Sequence, residues 1–307
     1  QVLPKISAQL SLTRAGAVAT SMGAAIAQED EEDVADSLGG EPRCRFCGVP
    51  LSSASSHDGL CANLQRNGLL RTVAAAAAYG AVDRADFAPE DFDAYADAAL
   101  PLGAGAQLSA PHVHARALDL LAERLDSDPG PRAVRALDLG AGSGCMSAML
   151  GRLLHSRGTV LAVEHINELA DQARQNIAKQ HGDLLMRDGP LELRCGDGLD
   201  MANQFEHAGA FDLVHCGAAF AQAEPWFVAL LRPGGRAVVP LGPTDAPQWL
   251  CTVDKMQDGS VQTQRHIRVL YVPVISAAAQ RARGERWDEV VQRCVENSRG
   301  LDDEVAQ

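Results

Sequence analysis

Directly after an apolar run the chain carries Leu137-Asp138-Leu139-Gly140-Ala141-Gly142-Ser143-Gly144, a carboxylate followed by three glycines at alternate positions. Glycines in such a turn let the backbone bend sharply and approach a ligand closely. Two further acids stand at similar places. Glu164 ends the next apolar run, and Asp197 follows another, flanked by Gly196 and Gly198. A dinucleotide fingerprint G-x-G-x-x-G would occupy the same turn, but Cys145 stands at its third glycine position. A carboxylate at Asp138 suits a cationic ammonium group better than a pyrophosphate, because opposite charges attract and like charges repel. Glu164 can accept from both hydroxyls of a ribose, and Asp197 from an adenine amino group. Three acids so spaced, with glycines Gly140, Gly142 and Gly144 between them, fit a positively charged nucleoside. S-adenosyl-L-methionine is the cofactor that has this character.

The elements that must hold these residues can be read from the pattern around them. Short apolar runs alternate with helical stretches from residue 133 onward, which predicts a parallel sheet wrapped by helices. Strands are expected at 133–139, 159–164, 191–195, 211–216 and 236–240, with helices at 145–155 and 167–179. Asn167 is the expected cap of the second helix. Residues 248–255 and 265–272, joined through Asp258-Gly259, read as an antiparallel strand pair closing the sheet. The expected class is α/β: a three-layer α/β/α sandwich with a Rossmann-like, doubly wound, mostly parallel sheet. The acids then fall at the carboxyl edge, where open sheets of this kind take ligands.

With the glycine loop placed, neighbouring segments are similar to protein-L-isoaspartate(D-aspartate) O-methyltransferases. The longest runs from Tyr95-x-Asp97-x-x-Leu100-Pro101-Leu102-Gly103 through Gly105-Ala106-Gln107-Leu108-Ser109-Ala110-Pro111-His112-Val113-His114-Ala115. Others are His57 to Leu70, Pro233-Gly234-Gly235-Arg236, Pro240-Leu241-Gly242-Pro243 and Tyr271-Val272-Pro273. The likeness extends from about residue 55 to 282. It implies methyl transfer to the free α-carboxylate of L-isoaspartyl, and less well D-aspartyl, residues of aged proteins. It also implies that Ser109 lies nearest the transfer, with a second role for Ser109 as a cap before Pro111. Ala106, Gln107, Leu108, Ser109 and His114 would border the methionine and ribose. Glu164-His165 would hold the ribose, Asp197-Gly198 the adenine, and Gln280 would line the pocket. Substrate backbone would add along 271–273 and 217–219 as an extra strand. The chain departs from the family at Gln107, where Thr is usual, at Phe220-Ala221 in place of Ala-Pro, and at Ile275. Two other readings stay open: a methyltransferase for another carboxylate or small molecule, and a cofactor-binding adaptor without turnover. The tail after Gln280 is polar and carries no recognisable docking box.

Cys44-x-x-Cys47, His57 and Cys61 have the spacing C-x2-C-x9-H-x3-C, which could supply four zinc ligands. His57 and Cys61 also fall on a helix where an apolar residue at the second position would simply pack, so no metal is assigned. The eight cysteines of a chain this long suggest no secreted disulfide framework, and an intracellular setting is expected. The formal charge of −13 argues against a nucleic-acid partner. No apolar run is long enough to span a bilayer. A monomer in the cytoplasm is expected. Residues 1–28 have Lys5, Arg14 and no acid, a composition weakly like an organellar import segment. Residues 1–54 are read as a flexible arm with the acidic linker Glu29–Asp33, 55–282 as the methyltransferase domain and 283–307 as a polar, partly helical tail.

Overall fold

The computed structural model describes residues 42–44, 46–127, 132–198, 208–243 and 246–282. The expected arm up to residue 41, and the tail with its helix near Trp287, lie outside the described residues. Helices α1 (His57–Arg66), α2 (Val73–Gly80) and α3 (Pro111–Ser127) precede the main sheet, with the hairpin strands β1 (Leu100–Gly103) and β2 (Ala106–Leu108) between α2 and α3. There follow β3 (Val134–Leu139), α4 (Cys145–Leu154), β4 (Gly158–Glu164), α5 (Asn167–His181), β5 (Leu191–Cys195) and β6 (Phe211–Cys216). The last elements are α6 (Pro225–Leu230), β7 (Leu231–Leu241), β8 (Gln248–Lys255) and β9 (Val261–Val269).

Seven strands form one sheet in the order β5-β4-β3-β6-β7-β8-β9. The first five are parallel, and β8 and β9 add antiparallel to β7. The chain moves outward from β3 to β5 and then returns to the other side of β3, so the switch point lies between β3 and β6. The central parallel strands β3, β4 and β6 read as nearly continuous apolar runs because both faces are covered. One face packs Ala136, Val160 and Ala162 against α3 and α4 through Leu118, Leu121, Met149 and Leu150. The other packs Leu137, Leu161, Val163 and Val214 against Phe220, Phe227 and Leu230.

Three expectations need correction. The cap of α5 is Ile166, not Asn167, whose Oδ1 instead accepts from the Cys195 thiol at 2.6 Å. The last strand begins at Val261 and ends at Val269, earlier than expected. Residues 46–54, counted in the expected arm, are held against the domain. Ser52 is fully buried, its N–H bonds to Asp97 Oδ2 at 2.9 Å, and Asn67 Nδ2 donates to Pro50 O at 3.1 Å.

Candidate active site at the switch point

The glycine loop leaves the end of β3 and enters α4. Gly140 N and Ala141 N both bond to Val163 O, at 2.9 and 3.0 Å, which turns the chain back over β4. Gly144 caps α4 in the left-handed region, and a Cβ there would lie 3.0 Å from Ile177 Cδ1 and 3.1 Å from Ala173 Cβ. The glycine is needed both for its φ of 85° and for the close approach of α5.

Asp138 was expected to face an ammonium group at the rim. It is instead buried beneath the loop, where Oδ1 accepts from His215 Nδ1 at 2.7 Å and Oδ2 from Ser147 Oγ at 2.5 Å. A carboxylate this deep must be satisfied within the protein. It therefore braces β3, β6 and α4 under the turn.

Glu164 stands at the end of β4 with Oε2 accepting from Gly142 N at 2.9 Å and Oε1 from Ile166 N at 3.0 Å. Two of its roughly four lone-pair positions remain for hydroxyl donors. His165 and Gln280, far apart in the chain, meet at 2.7 Å between Nε2 and Oε1. The bidentate pair of Arg281 with Glu168, at 3.1 and 2.7 Å, lies next to that contact and fastens the segment after β9 to the start of α5. Gly196 N bonds to Glu164 O at 3.0 Å, bringing Asp197 and Gly198 to the same edge, with Asp197 exposed. A Cβ on Gly198 would meet Leu139 Cδ1, so that side chain would have to shift to admit one.

Over this rim lies the β1–β2 hairpin. Leu102 Cδ1 would be 3.5 Å from a Cβ on Gly142, which sets the hairpin directly across the glycine loop. Ala106 is half-buried, Gln107 exposed and Leu108 buried. Ser109 follows β2, and its hydroxyl donates to Tyr271 Oη at 2.9 Å. The N–H of His112 in the first turn of α3 is taken by Asp97 Oδ1 at 3.0 Å, so the capping role expected of Ser109 belongs to Asp97. Burial pushes the Tyr271 hydroxyl up to about 12, which keeps it a neutral hydrogen-bonding group at physiological pH.

Sequence reasoning missed Arg84. Its guanidinium is buried and donates to Ser109 O at 2.7 Å and Ala98 O at 3.1 Å, clamping both ends of the hairpin. Burial lowers its pKa from the ordinary arginine value. Nothing in the local pattern Asp83-Arg84-Ala85-Asp86 sets it apart from a surface charge. His114 is buried on α3, and burial, followed by the charges of Arg84 and His215, drives its pKa well below the usual histidine value. It is a neutral imidazole.

The expected substrate edge also differs. Ala219 N bonds to Val272 O at 2.8 Å and Val274 N to Ala219 O at 2.9 Å, so the two segments expected to flank a peptide pair with each other. Phe220 is buried in an aromatic cluster with Trp226 and Phe227, and Ile275 is half-buried. The quartet Cys44, Cys47, His57 and Cys61 does not assemble. His57 and Cys61 pair with each other at 3.6 Å, while Cys44 and Cys47 converge on His112.

The donor set fits a positively charged nucleoside: a glycine cradle that side chains would fill, with one carboxylate at each neighbouring strand end. Comparison with known proteins gives the same direction. Residues 55–279 match the family model described as Protein-L-isoaspartate(D-aspartate) O-methyltransferase. A protein-L-isoaspartate O-methyltransferase of Triticum aestivum is 36% identical over 228 residues, covering 74% of this chain and 95% of its own. Protein-L-isoaspartate O-methyltransferase 2 of Arabidopsis thaliana is 36% identical over 229 residues, covering 75% and 71%. A Plasmodium falciparum protein assigned as such a methyltransferase, crystallised with S-adenosyl-L-homocysteine, superposes with a TM-score of 0.63 at 25% identity. The superposition covers 72% of this chain and 99% of that one.

Proposed function

Because this chain belongs to the protein-L-isoaspartate(D-aspartate) O-methyltransferase family, we propose that it is a repair enzyme that methylates the α-carboxylate of L-isoaspartyl, and D-aspartyl, residues in aged proteins, with S-adenosyl-L-methionine as cofactor. The observation that carries this reading is the β1–β2 hairpin, whose Leu102 comes up against Gly142 of the glycine loop, the residue whose N–H is taken by Glu164.

When bound, S-adenosyl-L-methionine supplies a sulfonium methyl, whose transfer to a carboxylate oxygen leaves a neutral thioether. The acceptor carboxylate, with a pKa near about 4, is already an anion at neutral pH, so no protein base is needed. The protein's contribution is to align the acceptor oxygen with the methyl and to keep water out. Glu164, with His165 and Gln280, holds the ribose, and Asp197-Gly198 holds the adenine. Gly140, Gly142 and Gly144 admit the methionine end, which Ala106, Gln107 and Leu108 border. Ser109, fixed by Tyr271, donates toward the incoming carboxylate once its hydroxyl turns from that partner. His114 supports this corner as an uncharged side chain. The substrate is a protein or peptide; the net charge of −13 favours no nucleic acid. We place the enzyme in the cytoplasm as a monomer. No helix among the described residues is long and apolar enough to cross a membrane.

The test is product analysis. Incubation with an isoaspartyl peptide should add one base-labile methyl group to the α-carboxyl, and the ester should then close to the succinimide. Cofactor binding without any methylated peptide would support the adaptor reading instead.

A further inference from the structure

Outside the site described above, one side-chain cluster has the composition of a metal centre. Residues 42–44 and 46–51 form a small hairpin: Arg43 bridges Pro50, Cys44 N bonds to Val49 O at 2.8 Å, and Gly48 N bonds back to Cys44 O at 2.8 Å. Gly48 takes φ of 70°, which closes the turn and leaves both thiols at the same end of it. That end faces the start of α3, where Cys44 Sγ, Cys47 Sγ and a ring nitrogen of His112 all lie within 4.8 Å of one another. Donors around a tetrahedral zinc, with Zn–S of about 2.3 Å and Zn–N of about 2.0 Å, sit roughly 3.5–3.8 Å apart, so small side-chain rotations suffice.

The histidine is prepared for this role. His112 Nδ1 lies 2.8 Å from Asp97 Oδ1, and Asp97 is itself fixed by the N–H groups of Ser52 and His112. A carboxylate on Nδ1 fixes the tautomer whose Nε2 carries a free lone pair, the arrangement that recurs behind metal-bound imidazoles. Two thiols and one imidazole select zinc among the abundant divalent cations. A disulfide between Cys44 and Cys47 would use the thiols but would leave the aimed imidazole without purpose.

We propose that Cys44, Cys47 and His112 bind one zinc ion through two thiolates and Nε2, with water in the fourth position and Asp97 orienting the histidine. Among the described residues no fourth His, Cys, Asp or Glu joins the group. The ion clips the hairpin to the first turn of α3, three residues beyond Ser109, and so fixes the loop on which Ser109 stands. The site is independent of the methyltransferase reading.

The full chain, purified under reducing conditions with zinc and freed of excess metal, should retain about one zinc per chain. Cys47→Ser should fall to background, Asp97→Asn should bind roughly tenfold or more weakly in chelator competition, and Cys61→Ser should match the parent. Cobalt titration of the unmutated chain gives a second readout that needs no variant: thiolate-to-cobalt charge-transfer bands with tetrahedral d–d bands. Absence of zinc and of those bands in the parent would overturn the proposal. So would equal loss of zinc in Cys61→Ser, or recovery of a Cys44–Cys47 disulfide despite added zinc.

Discussion

The hydroxyl of Ser109 is held at 2.9 Å from Tyr271 Oη, and the carbonyl of the same residue is held by Arg84. Backbone and side chain are thus fixed separately, so removing the hydroxyl should disturb the chemistry and spare the loop. Ser109→Ala is expected to lower kcat roughly tenfold, about 1.4 kcal/mol of barrier, with the cofactor Kd nearly unchanged by calorimetry. Tyr271→Phe should move kcat in the same direction by less. A loss confined to cofactor affinity would assign Ser109 to binding alone. Asp138 is the opposite case. Asp138→Ala strands Ser147 and His215 at a buried site, at a cost of about 3 kcal/mol. Thermal unfolding should show a lower Tm together with abolished cofactor binding, since the turn above loses its brace. Calorimetry showing parental affinity would refute its place in the site. His114 carries a pH signature. Its folded pKa lies well below the unfolded value of about 6.5. As pH falls below about 6.5, the unfolded chain takes up a proton that the folded chain does not, and stability is lost. Urea midpoints measured at about pH 7.5 and about pH 5.5 should therefore converge in His114→Gln relative to the parent; an unchanged difference would show that His114 titrates normally.

At the scale of elements, the glycine loop works only if α5 can approach it. Gly144→Ala forces a left-handed residue into contact with Ile177 and Ala173, a change expected to cost about 1–3 kcal/mol and to weaken cofactor binding. Gly80→Ala at the end of α2 meets nothing within 4 Å and should be close to neutral in the same denaturation assay. The difference between these two glycines was invisible in the sequence, although the strands were not. β5, β6 and β8 could be read to the residue, because each is an apolar run bounded by glycine, charge or proline. β7 extends back through Pro233-Gly234-Gly235 to Leu231, ahead of the expected start at residue 236, beside β6 where its register shifts. β9 was displaced because Val261–Arg265 is an exposed edge with no apolar alternation, while Tyr271–Pro273 leaves the sheet to run beside Ala219. Contacts that depend on distant segments meeting, such as His165 with Gln280, could be anticipated through family likeness, whereas residue spacing alone carries no trace of them. Asp138 was legible as important but its burial was not, because a motif gives position and not burial.

Across the whole molecule, the matched segment of residues 55–279 contains the sheet, the glycine loop and the hairpin, and stops just before Gln280 and Arg281, which reach back to His165 and Glu168. The net charge of −13 repels polyanions, and a free α-carboxylate on a kinked backbone is what distinguishes an isoaspartyl substrate. Two peptides identical except for an isoaspartyl or an ordinary aspartyl linkage present the same charge and the same side chains elsewhere. Initial rates of labelled methyl transfer to that matched pair isolate the linkage itself. The isoaspartyl peptide should accept methyl groups and the aspartyl peptide should remain at background; equal rates on both, or transfer to neither while the cofactor binds, would contradict a repair methyltransferase.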